Sequence, residues 1–283
     1  MRQLIRVRVP GRPPPTPNCG GRACRRDTFI GVGFAVAADA YDRFMGRYSV
    51  PLAPLFADLA EVVAGQRVLD VGCGPGALTA ELVQRLGPAS VNAVDPSESF
   101  VAAVQKRYPG VDVRRSNAEQ LPFRDQVFDA ALAQLVVHFM TDPVAGLREM
   151  ARVTRTDGVV AASVWDHAGS GGPLNVFWEA AGELDREVVN ESQLAGARKG
   201  HLTQLFQTAG LREIEESVLS VSVEHPSFED WWDPFTLGVG PAGSYTVGLA
   251  PARQTGLRER CRELLPPAPF VITARAWAAR GLV

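Results

Sequence analysis

The sequence has little lysine, few cysteines and no long apolar run. Lysine occurs only at Lys106 and Lys199, so arginine carries nearly all of the positive charge. The 4 cysteines form no C-x-x-C pair, which argues against a disulfide framework and against a zinc site. No apolar run reaches the roughly 20 residues that a membrane-spanning helix needs. We therefore expect no membrane span, no bound metal and a reducing compartment, the cytoplasm.

Charge is unevenly distributed along the chain. The formal net charge is -2, yet residues 1–26 carry no acidic residue. The arginines of that segment are Arg2, Arg6, Arg8, Arg12, Arg22, Arg25 and Arg26. The remainder of the chain is consequently acidic, and an acidic surface does not attract a polyanion. Nucleic acid is therefore not expected as a partner.

The N-terminal segment is rich in proline as well as arginine. Proline lacks the backbone N–H that helices and sheets use, so residues 1–36 are predicted to be a disordered or spurious basic extension. Arg25-Arg26 before the apolar run 29–38 weakly resembles a twin-arginine export signal, but the run is short. A single domain is predicted over 37–283, in which residues 165–265 contribute a cap on the acceptor side.

Short β-branched runs alternate with amphipathic stretches between residues 50 and 165. Strands are predicted at 66–71, 91–94, 111–114, 127–133 and 159–164. Helices are predicted between them, with Gly87 ending one and Asp142 capping another. Such alternation indicates parallel β-α-β units with helices on both faces of a sheet.

The later part of the chain has a different pattern. Helices are predicted at 174–189, 202–209 and 251–265, with a glycine-rich loop before the last of them. Residues 211–223 and 270–277 have the length and composition of two further strands, which would pair antiparallel. The expected fold class is α/β, with a Rossmann-like, mostly parallel seven-stranded sheet and an antiparallel last strand.

The most informative segment is the run D-V-G-C-G-P-G at Asp70–Gly76. A buried strand leads into a glycine turn, where backbone can approach a ligand closely because no Cβ intervenes. Gly72 and Gly74 also satisfy the dinucleotide pattern G-x-G-x-x-A. However, Asp70 at the strand end would repel a pyrophosphate and attract a cationic ligand such as a sulfonium. An NAD-dependent oxidoreductase therefore remains a weaker alternative.

This run resembles motif I of the class I S-adenosylmethionine-dependent methyltransferases, most closely the ubiquinone/menaquinone-type small-molecule branch. The resemblance extends from about residue 38 to 164 and implies S-adenosylmethionine as the cofactor. It implies that Asp95 accepts hydrogen bonds from the ribose hydroxyls. The other cofactor-binding residues implied or predicted are Tyr41, Arg47, Asp70, Gly72, Gly74, Gly76, Pro96, Ala118, Glu119 and Gln134.

Two of these assignments have simple alternatives. Tyr41 resembles a lid residue of the family, and Arg47 is placed to pair with the cofactor's carboxylate. Alternatively, Tyr41, Phe44 and Tyr48 are three and four residues apart and would form one apolar helix face. Asn117 stands where the family commonly has an acid, which weakens the assignment of Ala118 and Glu119 to the adenine site.

Methyl transfer from a sulfonium is an in-line displacement, so positioning supplies much of the rate and no nucleophilic side chain is required. His138 is the candidate general base, with His167 as a second choice. The acceptor is expected to be a small molecule methylated on O, N or C. No Asn/Asp-Pro-Pro-aromatic run follows the fourth strand, which argues against DNA and protein-amide targets. A non-catalytic cofactor-binding protein is the other alternative.

Overall fold

A computed structural model of the protein describes residues 38–283. The predicted extension at 1–36 lies outside the described residues. Seven strands form one sheet: β1 Val68–Val71, β2 Val91–Asp95, β3 Asp112–Arg115, β4 Phe128–Gln134, β5 Thr154–Trp165, β6 Arg212–His225 and β7 Phe270–Leu282. Their order across the sheet is β3-β2-β1-β4-β5-β7-β6.

Ten α-helices accompany the sheet in the described part of the chain. They are α1 Ala38–Tyr41, α2 Arg47–Leu59, α3 Ala77–Leu86, α4 Glu98–Arg107, α5 Pro143–Val153, α6 Asn175–Leu184, α7 His201–Ala209, α8 Phe228–Trp232, α9 Gly240–Gly248 and α10 Pro251–Leu264. A π-helical turn, Asp42–Gly46, joins α1 to α2. None of the helices described is both long and apolar enough to span a membrane.

The sheet has the predicted mixed character. Strands β1 to β5 pair parallel, whereas β7 pairs antiparallel with both β5 and β6. After β6 the chain passes through α8, α9 and α10, and it then returns to the sheet as β7 between β5 and β6. The prediction of an antiparallel last strand is thus confirmed.

Alternate side chains of the central strands enter two separate cores. Val68 packs with α2, α3 and α4 on one face, whereas its neighbour Leu69 packs with α5 and α7 on the other. This alternation follows from the period of two in a strand. Strand β1 is buried along its whole length, which explains why its sequence reads as a continuous apolar run.

Local signals placed two helix ends correctly. The Asp142 side chain accepts hydrogen bonds from the N–H groups of Val144 and Ala145 at the start of α5. Gly87 ends α3 with a positive φ of 78°.

The predicted glycine-rich loop before α10 is wrong, because residues 240–248 form helix α9. Its glycines disfavour helix intrinsically, but Ala242 and Thr246 are fully buried, and Ala242 packs into the aromatic cluster beneath it. Packing therefore outweighs propensity here.

Candidate functional site

A cavity of about 540 Å³ opens at the carboxyl ends of the central strands. Strand β1 lies between β2 and β4. The chain runs from β1 through β2 to β3 on one side and then crosses to β4 on the other side. Such a switch point leaves a crevice in which open α/β sheets bind ligands. The predicted residues that line the cavity are Tyr41, Asp70, Gly72, Gly74, Asp95, Pro96 and Gln134. Its volume falls in the range of small-molecule sites.

The glycine turn that forms the floor of this cavity uses its first two glycines for different reasons. Both have positive φ, 71° at Gly72 and 52° at Gly74. A Cβ added to Gly72 would lie 2.5 Å from a methyl carbon of Val136, so this glycine permits close packing against the loop after β4. A Cβ added to Gly74 would meet nothing within 4 Å. Gly74 therefore leaves room in the cavity itself.

Gly76 does not line the cavity. It is the N-cap of α3, where an added Cβ would lie 3.0 Å from the ring of Tyr108 on the neighbouring helix end. Its place in the motif thus reflects packing between α3 and the end of α4.

Asp95 is held rigidly at the end of β2. One carboxylate oxygen accepts a hydrogen bond of 2.9 Å from the Gly74 N–H, and the other accepts one of 2.8 Å from the Ser97 N–H. Burial raises the pKa of Asp95 to about 6, although both hydrogen bonds oppose the shift. Each oxygen keeps a lone pair for a ligand hydroxyl.

Asp70 lies deeper, at the end of β1. Its Oδ2 accepts a hydrogen bond of 2.6 Å from the Thr79 hydroxyl, which projects from α3. Burial raises the pKa of Asp70 to about 7; the Thr79 hydrogen bond opposes this and the charge of Asp95 adds to it. A positively charged ligand would reverse the shift, because an opposite charge favours the ionised carboxylate.

Gln134 and Tyr41 also line the cavity. Gln134 is buried, and its Nε2 donates to the Ser49 carbonyl at 3.0 Å. Its Oε1 is also buried and accepts no hydrogen bond from the described residues. The Tyr41 ring meets Phe100 edge to face at a centroid distance of 5.5 Å. Tyr41 thus packs against helix α4 at the edge of the cavity.

These features fit a ligand with a positive charge, hydroxyl groups and a free amine. Asp70 and Asp95 are two buried carboxylates that a cation and a pair of hydroxyls would satisfy. Gln134 Oε1 is an acceptor that needs a donor, since a buried acceptor without a hydrogen bond costs roughly 1–3 kcal/mol. Gly74 leaves space beside both acids. The donor and acceptor pattern therefore suits S-adenosylmethionine.

Besides Gly76, three predicted cofactor-binding residues lie outside this cavity. Arg47 pairs with Asp230, its Nη1 2.7 Å from Oδ2, and also contacts His225. Ala118 is buried in the core on the α5 face. Glu119 Oε1 accepts from the N–H groups of Thr141 and Asp142 at the start of α5. The folded chain uses Arg47 and Glu119 to join elements, and it does not bring them to the cavity.

A second, smaller cavity of about 40 Å³ adjoins the first. Tyr41, Leu135 and Phe139 line both. The predicted base His138 lies in the second cavity, where burial, followed by the neighbouring His167, lowers its pKa well below the usual value. His138 is therefore a neutral imidazole at neutral pH.

The aromatic residues of the predicted cap pack mainly against each other. Phe177, Trp178, Trp231, Trp232 and Phe235 are buried in one cluster with Phe44. Of the phenylalanine, tyrosine and tryptophan residues in the range 165–265, only Trp165 lines the second cavity.

Glu191, which lines that cavity, was not anticipated. It follows Asn190 in an irregular segment, and no motif or period marks it.

Known proteins that are similar to this chain are methyltransferases. A family profile described as "Methyltransferase domain" matches residues 69–162. The chain is 31% identical over 187 residues to a protein of Mycolicibacterium smegmatis named as a probable S-adenosylmethionine-dependent methyltransferase, covering 62% of this chain and 70% of that protein.

Two further similarities are informative. A probable phthiotriol/phenolphthiotriol dimycocerosates methyltransferase of Mycobacterium ulcerans is 38% identical over 101 residues, 35% of this chain and 39% of the relative. The crystal structure of the YcgJ protein from Bacillus subtilis superimposes with a TM-score of 0.53 at 18% identity, covering 82% of this chain and 97% of that one. At that identity the likeness concerns the fold.

Proposed function

Because the chain belongs to the S-adenosylmethionine-dependent methyltransferases, we propose that it methylates a small apolar acceptor through an oxygen atom. The enzyme class and the cofactor are shared with the family, whereas the acceptor and the atom methylated are our inference. The main support for the cofactor site is the pair of hydrogen bonds that the Gly74 and Ser97 N–H groups donate to the Asp95 carboxylate at the end of β2.

The cavity residues would hold the cofactor by complementary polar groups. Asp95 would accept from the ribose hydroxyls, and its two backbone hydrogen bonds keep its carboxylate from rotating. Asp70 would face the positively charged end, and Gln134 Oε1 would accept from its amine. When bound, S-adenosylmethionine supplies an electrophilic methyl group on a sulfonium. Tyr41 would cover this end and exclude water.

The acceptor side is proposed to be the second cavity and the cap above it, residues 165–265. Its walls are largely apolar and include Phe44, Met45, Leu174 and Val239. Such walls favour a lipophilic acceptor, because burying apolar surface stabilises the complex by roughly 25 cal/mol per Å². The relative named for phthiotriol dimycocerosates methylation supports a lipid-like acceptor that carries a hydroxyl group.

His138 lies on this acceptor side and not on the cofactor side. We assign it to the acceptor's oxygen, and its neutral imidazole can accept a proton or a positive charge. We also propose that the protein acts in the cytoplasm, since Cys73 and Cys261 are buried thiols without a disulfide partner in the described chain. The ubiquinone/menaquinone-type branch remains the proposed subgroup.

The experiment is a methyl-transfer assay with radiolabelled S-adenosylmethionine. Long-chain alcohols, diols and phenols form one panel, and amino acids and nucleosides form the other. Labelled product in the organic phase from the apolar panel alone is expected, and it should vanish in Asp95→Ala.

Product from the polar panel alone would contradict the proposed acceptor. Binding of S-adenosylmethionine without product in either panel would favour the non-catalytic alternative, and binding of NAD instead would favour an oxidoreductase.

A further inference from the structure

Three chemically reactive side chains meet in the second cavity, brought from distant parts of the chain. His138 lies in a 3₁₀ turn after β4, His167 follows the end of β5, and Glu191 begins another 3₁₀ turn. One potential ligand atom from each residue lies within 4.8 Å of the other two. No other group of three such side chains meets this criterion among residues 38–283.

The polar atoms of this cluster are buried and poorly satisfied. The side chains of His167 and Glu191 are 3% and 4% exposed. His138 Nδ1 and His167 Nε2 have no hydrogen-bond partner in the described part of the chain. A buried nitrogen without a hydrogen-bond partner destabilises the folded state. A ligand for these nitrogens would remove that cost.

Glu191 is oriented towards the two histidines by a neighbouring residue. Its Oε2 accepts a hydrogen bond of 2.9 Å from the Trp178 indole N–H. Its Oε1 lies 3.9 Å from His167 Nε2, which is too long for a hydrogen bond. The cluster is therefore not a hydrogen-bonded proton relay. Support of a carboxylate by an outer hydrogen-bond donor is a common feature of metal ligands.

We propose that His138, His167 and Glu191 bind one divalent transition-metal ion. Ligand atoms about 2.1 Å from one ion are roughly 3.0–3.5 Å apart in tetrahedral or octahedral geometry. The present separations of up to 4.8 Å would have to shorten by about 1–2 Å, through rotation of the side chains about their χ angles. Two imidazoles and one carboxylate suit zinc or iron and leave coordination positions open.

The open positions of this ion would face the acceptor. The cavity of about 40 Å³ exceeds the 10–15 Å³ that one water molecule needs. Through Tyr41, Leu135 and Phe139 it shares a wall with the cofactor cavity. With the ion bound, His138 is a ligand and not a general base. The ion would hold the acceptor's oxygen beside the methyl group and lower the pKa of its hydroxyl, whose proton would pass to water. This role, unlike the binding of the ion, rests on the proposed function.

The test is a cobalt titration of the full chain after treatment with a chelator. Co²⁺ reports its ligands through visible d–d absorption, and Zn²⁺ should displace it. We expect one equivalent of Co²⁺ to bind without an intense thiolate charge-transfer band. Glu191→Gln keeps an oxygen for the Trp178 hydrogen bond but loses the charge of a direct ligand. We expect at least about a hundredfold weaker binding, because loss of an outer hydrogen-bond partner alone costs about 10–100-fold. His167→Gln should weaken binding by a similar factor.

His201→Gln is the matched control, because His201 lies outside the cluster and contacts the Gly196 N–H; it should bind Co²⁺ as the wild type does. No saturable Co²⁺ signal in the folded wild type would overturn the proposal. A thiolate band, or Co²⁺ binding in Glu191→Gln and His167→Gln as tight as in the wild type, would also overturn it. Calorimetry with S-adenosylmethionine on the same samples separates the two proposals, since failure of the metal site leaves cofactor binding intact.

Discussion

Substituting alanine for Gly72 should destabilise the fold much more than the same change at Gly74. Both glycines have positive φ, 71° and 52°, so alanine should cost about 1–2 kcal/mol of backbone strain at either site. Only at Gly72 does the new Cβ meet side-chain atoms, 2.5 and 2.6 Å from the two Val136 methyl carbons. Overpacking of this kind costs about 1–3 kcal/mol more. Gly72→Ala should therefore lose about 2–5 kcal/mol in total.

Urea unfolding followed by circular dichroism measures both free energies of unfolding. Val136→Ala removes the two methyl groups that Gly72→Ala would contact, so it provides the matched control. In the double variant the combined loss should be smaller than the sum of the single losses by about 1–3 kcal/mol. Equal losses for Gly72→Ala and Gly74→Ala, or additive losses in the double variant, would refute the close packing of the turn on Val136.

Three other predictions follow from the site. Without cofactor, the stability of the wild type should fall from pH 4 to pH 7 more steeply than that of Asp70→Asn. In the folded state Asp70 keeps its proton up to a pKa of about 7, whereas in the unfolded state it loses the proton near pH 3.9. This difference is worth up to about 4 kcal/mol of stability. Urea-denaturation profiles that change with pH in parallel for the two proteins would contradict the prediction. Tyr41→Ala should raise the dissociation constant of S-adenosylmethionine about tenfold in calorimetry, because an aromatic wall is lost, and an unchanged value would remove Tyr41 from the site. Arg47→Ala should leave the dissociation constant of S-adenosylmethionine within about threefold. It should lower the free energy of unfolding in urea by about 1–3 kcal/mol, because the Arg47 guanidinium pairs with Asp230. Weaker cofactor binding with unchanged stability would instead assign Arg47 to the cofactor.

The sequence predicted best those features that are local. Asp70, the glycine turn and Asp95 lie at the ends of two neighbouring parallel strands, so pairing of β1 with β2 suffices to bring them together. The antiparallel last strand also followed from the long excursion after β6. In both cases short-range pattern and chain connectivity leave few alternatives.

Features that depend on distant packing could not be predicted in this way. Arg47 has Asp230 as its partner, which lies 183 residues away. Helix α9 has poor intrinsic propensity and depends on burial of Ala242 and Thr246. The cluster of His138, His167 and Glu191 joins three irregular segments, whose relative positions no periodicity encodes.

The most direct test of the cofactor site is calorimetric titration of S-adenosylmethionine into the wild type and Asp95→Ala. Loss of two charge-assisted hydrogen bonds, each worth about 1.5–3 kcal/mol, should weaken binding at least about a hundredfold. Asp125→Ala, which removes an exposed acid that pairs with Arg152, controls for the change in net charge. We expect micromolar binding to the wild type and to Asp125→Ala, and its loss in Asp95→Ala. Absence of binding to the folded wild type, or equal binding to all three proteins, would contradict it.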